Sequence, residues 1–328
     1  MDLVKVLTDS LRVAVGVPAA AYALAAVGLN VHFGYTGLLN FGHVAFMMVG
    51  AYGTAVTVDQ GGPLWLGLLV GVGAAAVLGL LLGIPTLRLR ADYLAIVTIA
   101  TAEILRLVAR SNTAEPLTRG VFGIQAFADP FYDLNPIPVG RYGFGSFNFS
   151  HRQLWVILVG WAAVAVALLL LTALMRSPWG RVLRAIREDE DAARSLGKNV
   201  FAYKIQSLVL GGVIGSLAGA LLAIDTQAVN PDTIISSLTI FVYTVLILGG
   251  AGRILAPVVG AVIFWFLLQL SDGLLRGALE AGWLGGLIEA SDIAVIRFAL
   301  VGLGLVLLMA LRPQGILGSR EELLTDER

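Results

Sequence analysis

Side chains able to do chemistry are few in this sequence, and they gather in four places. Glu103 lies in an apolar run with Arg106 three residues on. That spacing sets an acid and a base on one helical face. An acid so placed can pass a proton through a membrane or be half of a structural ion pair; the residues suit the ion pair better. Asn40 and His43 are also three apart, inside Gly34-Tyr35-Thr36-Gly37-Leu38-Leu39-Asn40-Phe41-Gly42-His43, where glycines break an apolar stretch. Broken spans are tolerated where backbone lines a cavity or is buried in protein. Asn40, Phe41, Gly42 and His43 are thus candidates for lining a path, while a kink satisfying its own backbone would use the same residues. The third place is Gly249-Gly250-Ala251-Gly252-Arg253, with Pro257 beyond it. It reads as a tight hairpin or broken helix, and it adds Gly250 and Gly252 to the path candidates.

The fourth is a long charged segment, 176–199, in a chain that is otherwise mostly apolar. Ser177 followed by Pro178 is a helix start, and Gly197 is a helix stop. Between them Val182, Ala185, Ile186, Ala193 and Leu196 are spaced among charges, which predicts one or two short helices lying at a membrane surface. Such a segment is either a solvated loop or a docking surface for a partner.

Other chemistry finds no residues. The sequence has no cysteine, so thiolate metal sites and disulfides are excluded. Its three histidines, His32, His43 and His151, lack metal-ligand spacing. There is no GxxxxGK[ST] phosphate loop, no HExxH and no serine nucleophile elbow. The formal net charge is zero, and no basic field points to nucleic acid.

Of the 328 residues, 58% are hydrophobic and only 13% are charged, against about a quarter charged in soluble domains. This composition belongs in a bilayer. Stretches near 13–30, 38–58, 64–84, 93–110, 153–175, 203–226, 235–251, 254–272 and 293–311 approach the roughly 20 apolar residues of a spanning helix. The expected fold is an all-α polytopic bundle of about 8–10 spans forming one domain over 1–328, with one or two segments broken or re-entrant. The first stretch is read as a retained helix. Dense small residues, such as Gly71, Gly73, Gly79, Gly211, Gly215 and Gly219, predict close helix packing. Lysine and arginine placement, with seven such residues between Arg176 and Lys204, puts that segment, Arg88, Arg90, Arg253 and a tail at 312–328 in the cytoplasm, with the N-terminus out and the C-terminus in. The loop 111–152, rich in Pro, Gly, Asn and aromatics, then forms an ordered extracytoplasmic cap. Asp225, Gln227 and Asn230 close the 203–226 span there, either lining an entrance or capping the helix in water.

The run Gly34–His43, the segment from Asp92 through Glu103 to Arg106, the loop from Gly180 to Gly197, the stretch Leu248–Ala261 and the closing Arg312-Pro313-Gln314-Gly315-Ile316-Leu317-Gly318 together resemble the permease subunits of branched-chain amino-acid ABC importers, the M-type more than the H-type. The likeness covers nearly the whole chain. Asp191-Ala192-Ala193-x-x-x-Gly197 is similar to the EAA loop through which such permeases meet their ATPases, with Asp in place of Glu. The resemblance therefore implies that Arg184, Glu188, Asp191, Ala192, Ala193 and Gly197 contact an ATPase. It also implies alternating access and no cofactor in this chain, ATP being held by the partner. The implied partners are a homologous second permease, two cytoplasmic ATPases, an extracytoplasmic amino-acid-binding protein and the lipid bilayer, in a bacterial plasma (inner) membrane. Related permeases carry urea or short amides. An ion-coupled secondary transporter, working through Glu103 without an ATPase, is the rival reading.

Overall fold

The computed structural model describes residues 3–87, 91–145, 147–282, 292–312 and 314–318. Arg88, Arg90, Pro313, Arg320 and Arg328, used above for orientation or motif, lie outside the described residues. The elements in order are α1 (Leu3–Ala14), α2 (Val17–Leu29), which continues as a π-helical turn (Asn30–Tyr35), α3 (His43–Asp59), α4 (Leu64–Thr86), α5 (Ala91–Arg110), α6 (Glu115–Thr118), β1 (Ile124–Gln125), α7 (Asp129–Asp133), β2 (Arg141–Phe144), β3 (Phe147–Ser150), α8 (His151–Arg176), α9 (Pro178–Glu188), α10 (Glu190–Ser195), α11 (Val200–Thr226), β4 (Ala228–Val229), α12 (Ser237–Gly249), α13 (Ala256–Glu280) and α14 (Ile293–Leu311). Among the described residues, six helical segments are long and apolar enough to cross a membrane: 17–35, 64–86, 151–176, 200–226, 256–280 and 293–311. The chain is an all-α transmembrane bundle.

The bundle is built around α2. Twelve of its 13 residues are buried, six of them alanines and one the glycine at Gly28. Small side chains let its neighbours come to backbone contact, the main source of association where lipid gives no hydrophobic drive. α11 uses this most. A Cβ on Gly211 would strike the Gly28 carbonyl and the His32 ring, and one on Gly219 would strike the Met47 carbonyl. α12 and α13 form a similar tight pair, with Gly260 against the Val245 carbonyl and Gly249 against the Ala256 carbonyl. The outer helices α4, α8 and α14 show exposed leucines, valines and isoleucines, a surface suited to lipid.

α8 is 26 residues long, about 39 Å at 1.5 Å per residue. It therefore separates two ends of the bundle. At one end lie α9, α10, the π-helical turn, the α12–α13 connection and residues 314–318. At the other lie residues 111–150, which are ordered as expected: β2 and β3 form a hairpin, and β1 pairs antiparallel with β4, Ile124 opposite Val229. Ser150 starts α8 with a capping box to Gln153. In the same region burial raises the Tyr132 phenol above its ordinary range. The protonated hydroxyl donates to the Ile224 carbonyl at 3.0 Å.

Three boundaries differ from the sequence expectation. The chain breaks at Gly16, and residues 3–14 form a separate helix along α13, with Val6 against Gly273. Lys5, Asp9 and Arg12 hide this amphipathic helix from a search for apolar runs. Residues 37–42 are non-helical, so the second span begins at His43; Gly37 takes a left-handed φ of 73° that ends the preceding turn. α13 runs on to Glu280, because Arg276 pairs with Asp272 at 2.8 Å inside the helix.

Close packing at glycine sets the first prediction. Gly211→Ala forces a methyl against α2 and should cost about 1–3 kcal/mol, as overpacking does, lowering the melting temperature of the solubilised protein. Gly73→Ala, with open space around it, should melt at or above the wild-type temperature.

Candidate coupling site and cavity

The π-helical turn at the end of α2 is the junction of four segments. Its first residue, Asn30, is fully buried. The Asn30 amide donates to the Arg253 carbonyl at 2.9 Å, and its carbonyl oxygen accepts from the Gly252 N–H, also at 2.9 Å. One side chain thus satisfies both backbone groups of the α12–α13 connection, where Gly250 and Gly252 have φ of 106° and 83°. A Cβ on Gly34 would fall on the Asn30 side chain, so only glycine admits this approach. From the surface, Arg187 of α9 donates to the Gly34 carbonyl. On the far side, residues after α14 return to close α12: the Ile316 N–H donates to the Leu248 carbonyl at 3.1 Å and the Leu317 N–H to the Gly249 carbonyl at 3.0 Å. Those carbonyls belong to the last turn of a helix and have no intrahelical donor.

Below this junction sits a second buried network. His32 Nε2 is 3.0 Å from the Leu208 carbonyl and Nδ1 is 3.1 Å from the Asn40 amide nitrogen. These partners fit one tautomer, with the proton on Nε2 and Nδ1 accepting from Asn40. The Asn40 side-chain Oδ1 accepts from the Gly42 N–H. His43 Nε2 is 3.0 Å from the Ala25 carbonyl, the rings of His32 and His43 meet edge to face, and His43 Nδ1 is buried without a partner. Phe41 stacks on Tyr243 at 4.7 Å. Asn40, Gly42 and His43 are therefore packed between helices, with Phe41 half-buried beside them. None of them borders the cavity described next.

α9 and α10 form the exposed segment. Ser177 caps α9 by accepting from the Trp179 N–H, and Asp189 caps α10 by accepting from Asp191 and Ala192. The inner face of α9 buries Gly180, Leu183 and Ile186, worth about 1.5–3 kcal/mol for each large side chain. Trp179 Nε1 donates to Gln206 of α11 at 2.8 Å, and Arg184 donates to the Met175 carbonyl at 3.0 Å, closing the end of α8. Ala193 is buried against Ile186 and Val200. Glu190 holds Arg194 and Lys204. Among the exposed residues are Glu188, Asp191, Ala192, Gly197 with φ 75°, and Leu196, whose apolar side chain is 79% exposed.

At the opposite end a cavity of about 260 Å³ lies among α2, α3, α11, α12 and α13. Tyr22, Met47, Ala51, Leu222, Leu238 and Trp265 form much of its wall, with Asp225 on the last turn of α11. Asp225 was legible in the sequence as a possible entrance residue, and it does border this space. Tyr22 and Trp265 meet edge to face at 5.2 Å; the sequence held no signal for them, because helices 240 residues apart bring them together.

The family described as "Branched-chain amino acid transport system / permease component" matches residues 12–311. The chain belongs to this family. It is 34% identical over 309 residues to the high-affinity branched-chain amino acid transport system permease protein LivM of Escherichia coli, covering 90% of this chain and 67% of that protein. It is 28% identical over 323 residues to LivH of the same organism, covering 92% of each. A third relative, 29% identical over 221 residues and 62% of each chain, is the nucleoside ABC transporter permease protein NupC of Lactococcus lactis.

Arg106 pairs with Glu103 at 2.6 Å and with Asp232 at 3.1 Å, and Arg110 joins Asp232 from the next turn. Arg119 meets Asp59 at 3.0 Å nearby. The permease residues the sequence did not flag are Asn30 and Arg187. Their partners are respectively more than 220 and more than 150 positions away, and no local pattern encodes such contacts. Asn30→Leu strips partners from Gly252 and Arg253 at once. Each unmet buried group costs about 1–3 kcal/mol, so the variant should melt well below wild type, further than Asn112→Leu at the exposed loop.

Proposed function

We propose that this permease is one membrane-spanning half of an ATP-driven importer for branched-chain or closely related apolar amino acids. It pairs with a homologous second permease, receives substrate from an external binding protein and is driven by two ATPases that dock on α9 and α10. ATP is bound and hydrolysed by those partners. The chain sits in a bacterial plasma membrane with the α9–α10 end in the cytoplasm and residues 111–150 outside.

The observation that carries this reading is the Arg187 link between α9 and the π-helical turn. A partner that moves α9 pulls directly on the Gly34 carbonyl, and through Asn30 on the α12–α13 connection. The turn is a weak point built for such a pull, since π-turns often mark functional sites in helices. Alternating access then follows as rigid helices shift about this junction. Asp191, Ala192, Leu196 and Gly197 form the docking face, Glu188 lies at its edge, and Arg184 and Ala193 hold that face in place from behind. LivM as a relative supports the choice of amino acids, and NupC supports nucleosides as the second reading; uptake of labelled leucine against labelled uridine by the reconstituted system separates them.

Two variants test the coupling. Leu196→Asp should release the ATPases during purification while the permease stays folded. Arg187→Ala should retain them and their hydrolysis, yet cut uptake about tenfold, the scale of one hydrogen bond to a charged group. Full uptake by Arg187→Ala would remove α9 from the coupling route.

A further inference from the structure

Where α8 ends, a hollow of about 450 Å³ opens between its last turn, α9 and the α12–α13 connection. Arg176, Arg184 and Arg253 line it, and among the described residues its wall holds no carboxylate. Arg176 is exposed, and its side chain makes no hydrogen bond or ion pair among the described residues. The Arg184 guanidinium is held in place: Nη2 donates to the Met175 carbonyl at 3.0 Å and Nε to the Gly180 carbonyl at 3.4 Å. It thereby covers the carbonyl end of α8, whose dipole would otherwise repel an anion. Leu255 and Leu317 add apolar wall and are 58% and 40% exposed. Two features set this hollow at the level of lipid headgroups. The 26 residues of α8 span about 39 Å, against roughly 30 Å of hydrocarbon, so the ends of the helix reach the headgroup layer. Ala162, Val166, Leu169 and Ala173 form one exposed apolar stripe along α8, and Arg176 continues that stripe at its end.

We propose that this hollow binds the headgroup of an anionic glycerophospholipid, with its phosphate between Arg176 and Arg184 and one acyl chain along the α8 stripe. Arg253 adds positive charge from the far wall. The inference holds whichever substrate is transported. Guanidinium groups match phosphate oxygens in geometry as well as charge, and basic pockets between spans at a membrane surface suit lipid headgroups. A choline or ethanolamine headgroup would bring an ammonium for which the described wall offers no acid. A free phosphate would meet the arginines but gain nothing from Val166 and Leu169, which are 57% and 70% exposed. The bound lipid touches α8, α9 and the α12–α13 connection together, and so braces the junction from the membrane side.

The test purifies the permease with its partner subunits, places it in nanodiscs of equal phosphatidylglycerol and phosphatidylcholine, and counts the lipids it retains by native mass spectrometry. Wild type should retain phosphatidylglycerol over phosphatidylcholine by about tenfold or more, the combined effect of several arginines at a membrane surface. Arg176→Gln removes a side chain with no partner in the described protein, so the variant should assemble normally. It should cut the preference about fivefold, the scale of one such arginine. Arg181→Gln, exposed on α9 outside the hollow, should keep the wild-type preference. Millimolar sn-glycerol 3-phosphate, which has the phosphate without the acyl chains, should displace no lipid. An unchanged preference in Arg176→Gln overturns the proposal. An equal loss in Arg181→Gln does so too, since the lipid would then be reading a diffuse basic surface. Displacement by sn-glycerol 3-phosphate would make the hollow a site for a soluble phosphate and overturn the lipid assignment.

Discussion

A helix sealed on every side has to find all its polar partners inside the protein, and α2 is such a helix. Its backbone is satisfied internally while it remains α-helical. At Asn30 the hydrogen-bond pattern widens to the π form, and from there each group needs a named partner. Asn30 reaches the α12–α13 connection, Thr36 and Ser207 share the Val31 carbonyl, and His32 and Asn40 bond each other. Unpaired groups in such surroundings cost more than the net gain of a paired one, so these contacts fix the positions of α11, α12 and α13 relative to α2. The neighbouring elements depend on that register.

Small residues and polar links divide the work. Glycine at 28, 211, 215 and 219 sets how near the helices come; polar side chains set where along their length they stop. Dispersion alone would let smooth helices slide, and a slide of one turn would part Asn30 from Gly252. Sliding is thus blocked at the junction, and close packing leaves the rest of the contact surface one well-packed arrangement.

Much of this was legible in the sequence. Hydropathy located all six helices that are long and apolar enough to cross a membrane among the described residues, because lipid imposes length and apolarity on each separately, while the expected stretches 38–58, 93–110 and 235–251 are not among them. Ser177, Pro178 and Gly197 marked the surface helices because capping is a local matter of a few residues. Gly249–Gly252 announced a break for the same reason. The partners were not legible. Asn30 looked like an ordinary residue at the end of a span, Arg187 like one more charge on a solvated helix, and residues 3–12 lay before the first apolar stretch with no element assigned to them. What distinguishes them is contact with segments far away in the chain. Asn40 and His43 were noticed for their polarity, which is real, but polarity alone does not say whether a group faces a path or a neighbouring helix.

Residues 314–318 carry a consequence for biosynthesis. The last carbonyls of α12 receive their donors from Ile316 and Leu317, which leave the ribosome only after α13 and α14. Chains fold largely in the order they are made, so the end of α12 must wait with open acceptors while two further helices insert. Completion of the junction is therefore a post-insertion event, and a nascent permease that has threaded all its helices is still unfinished at its most connected point.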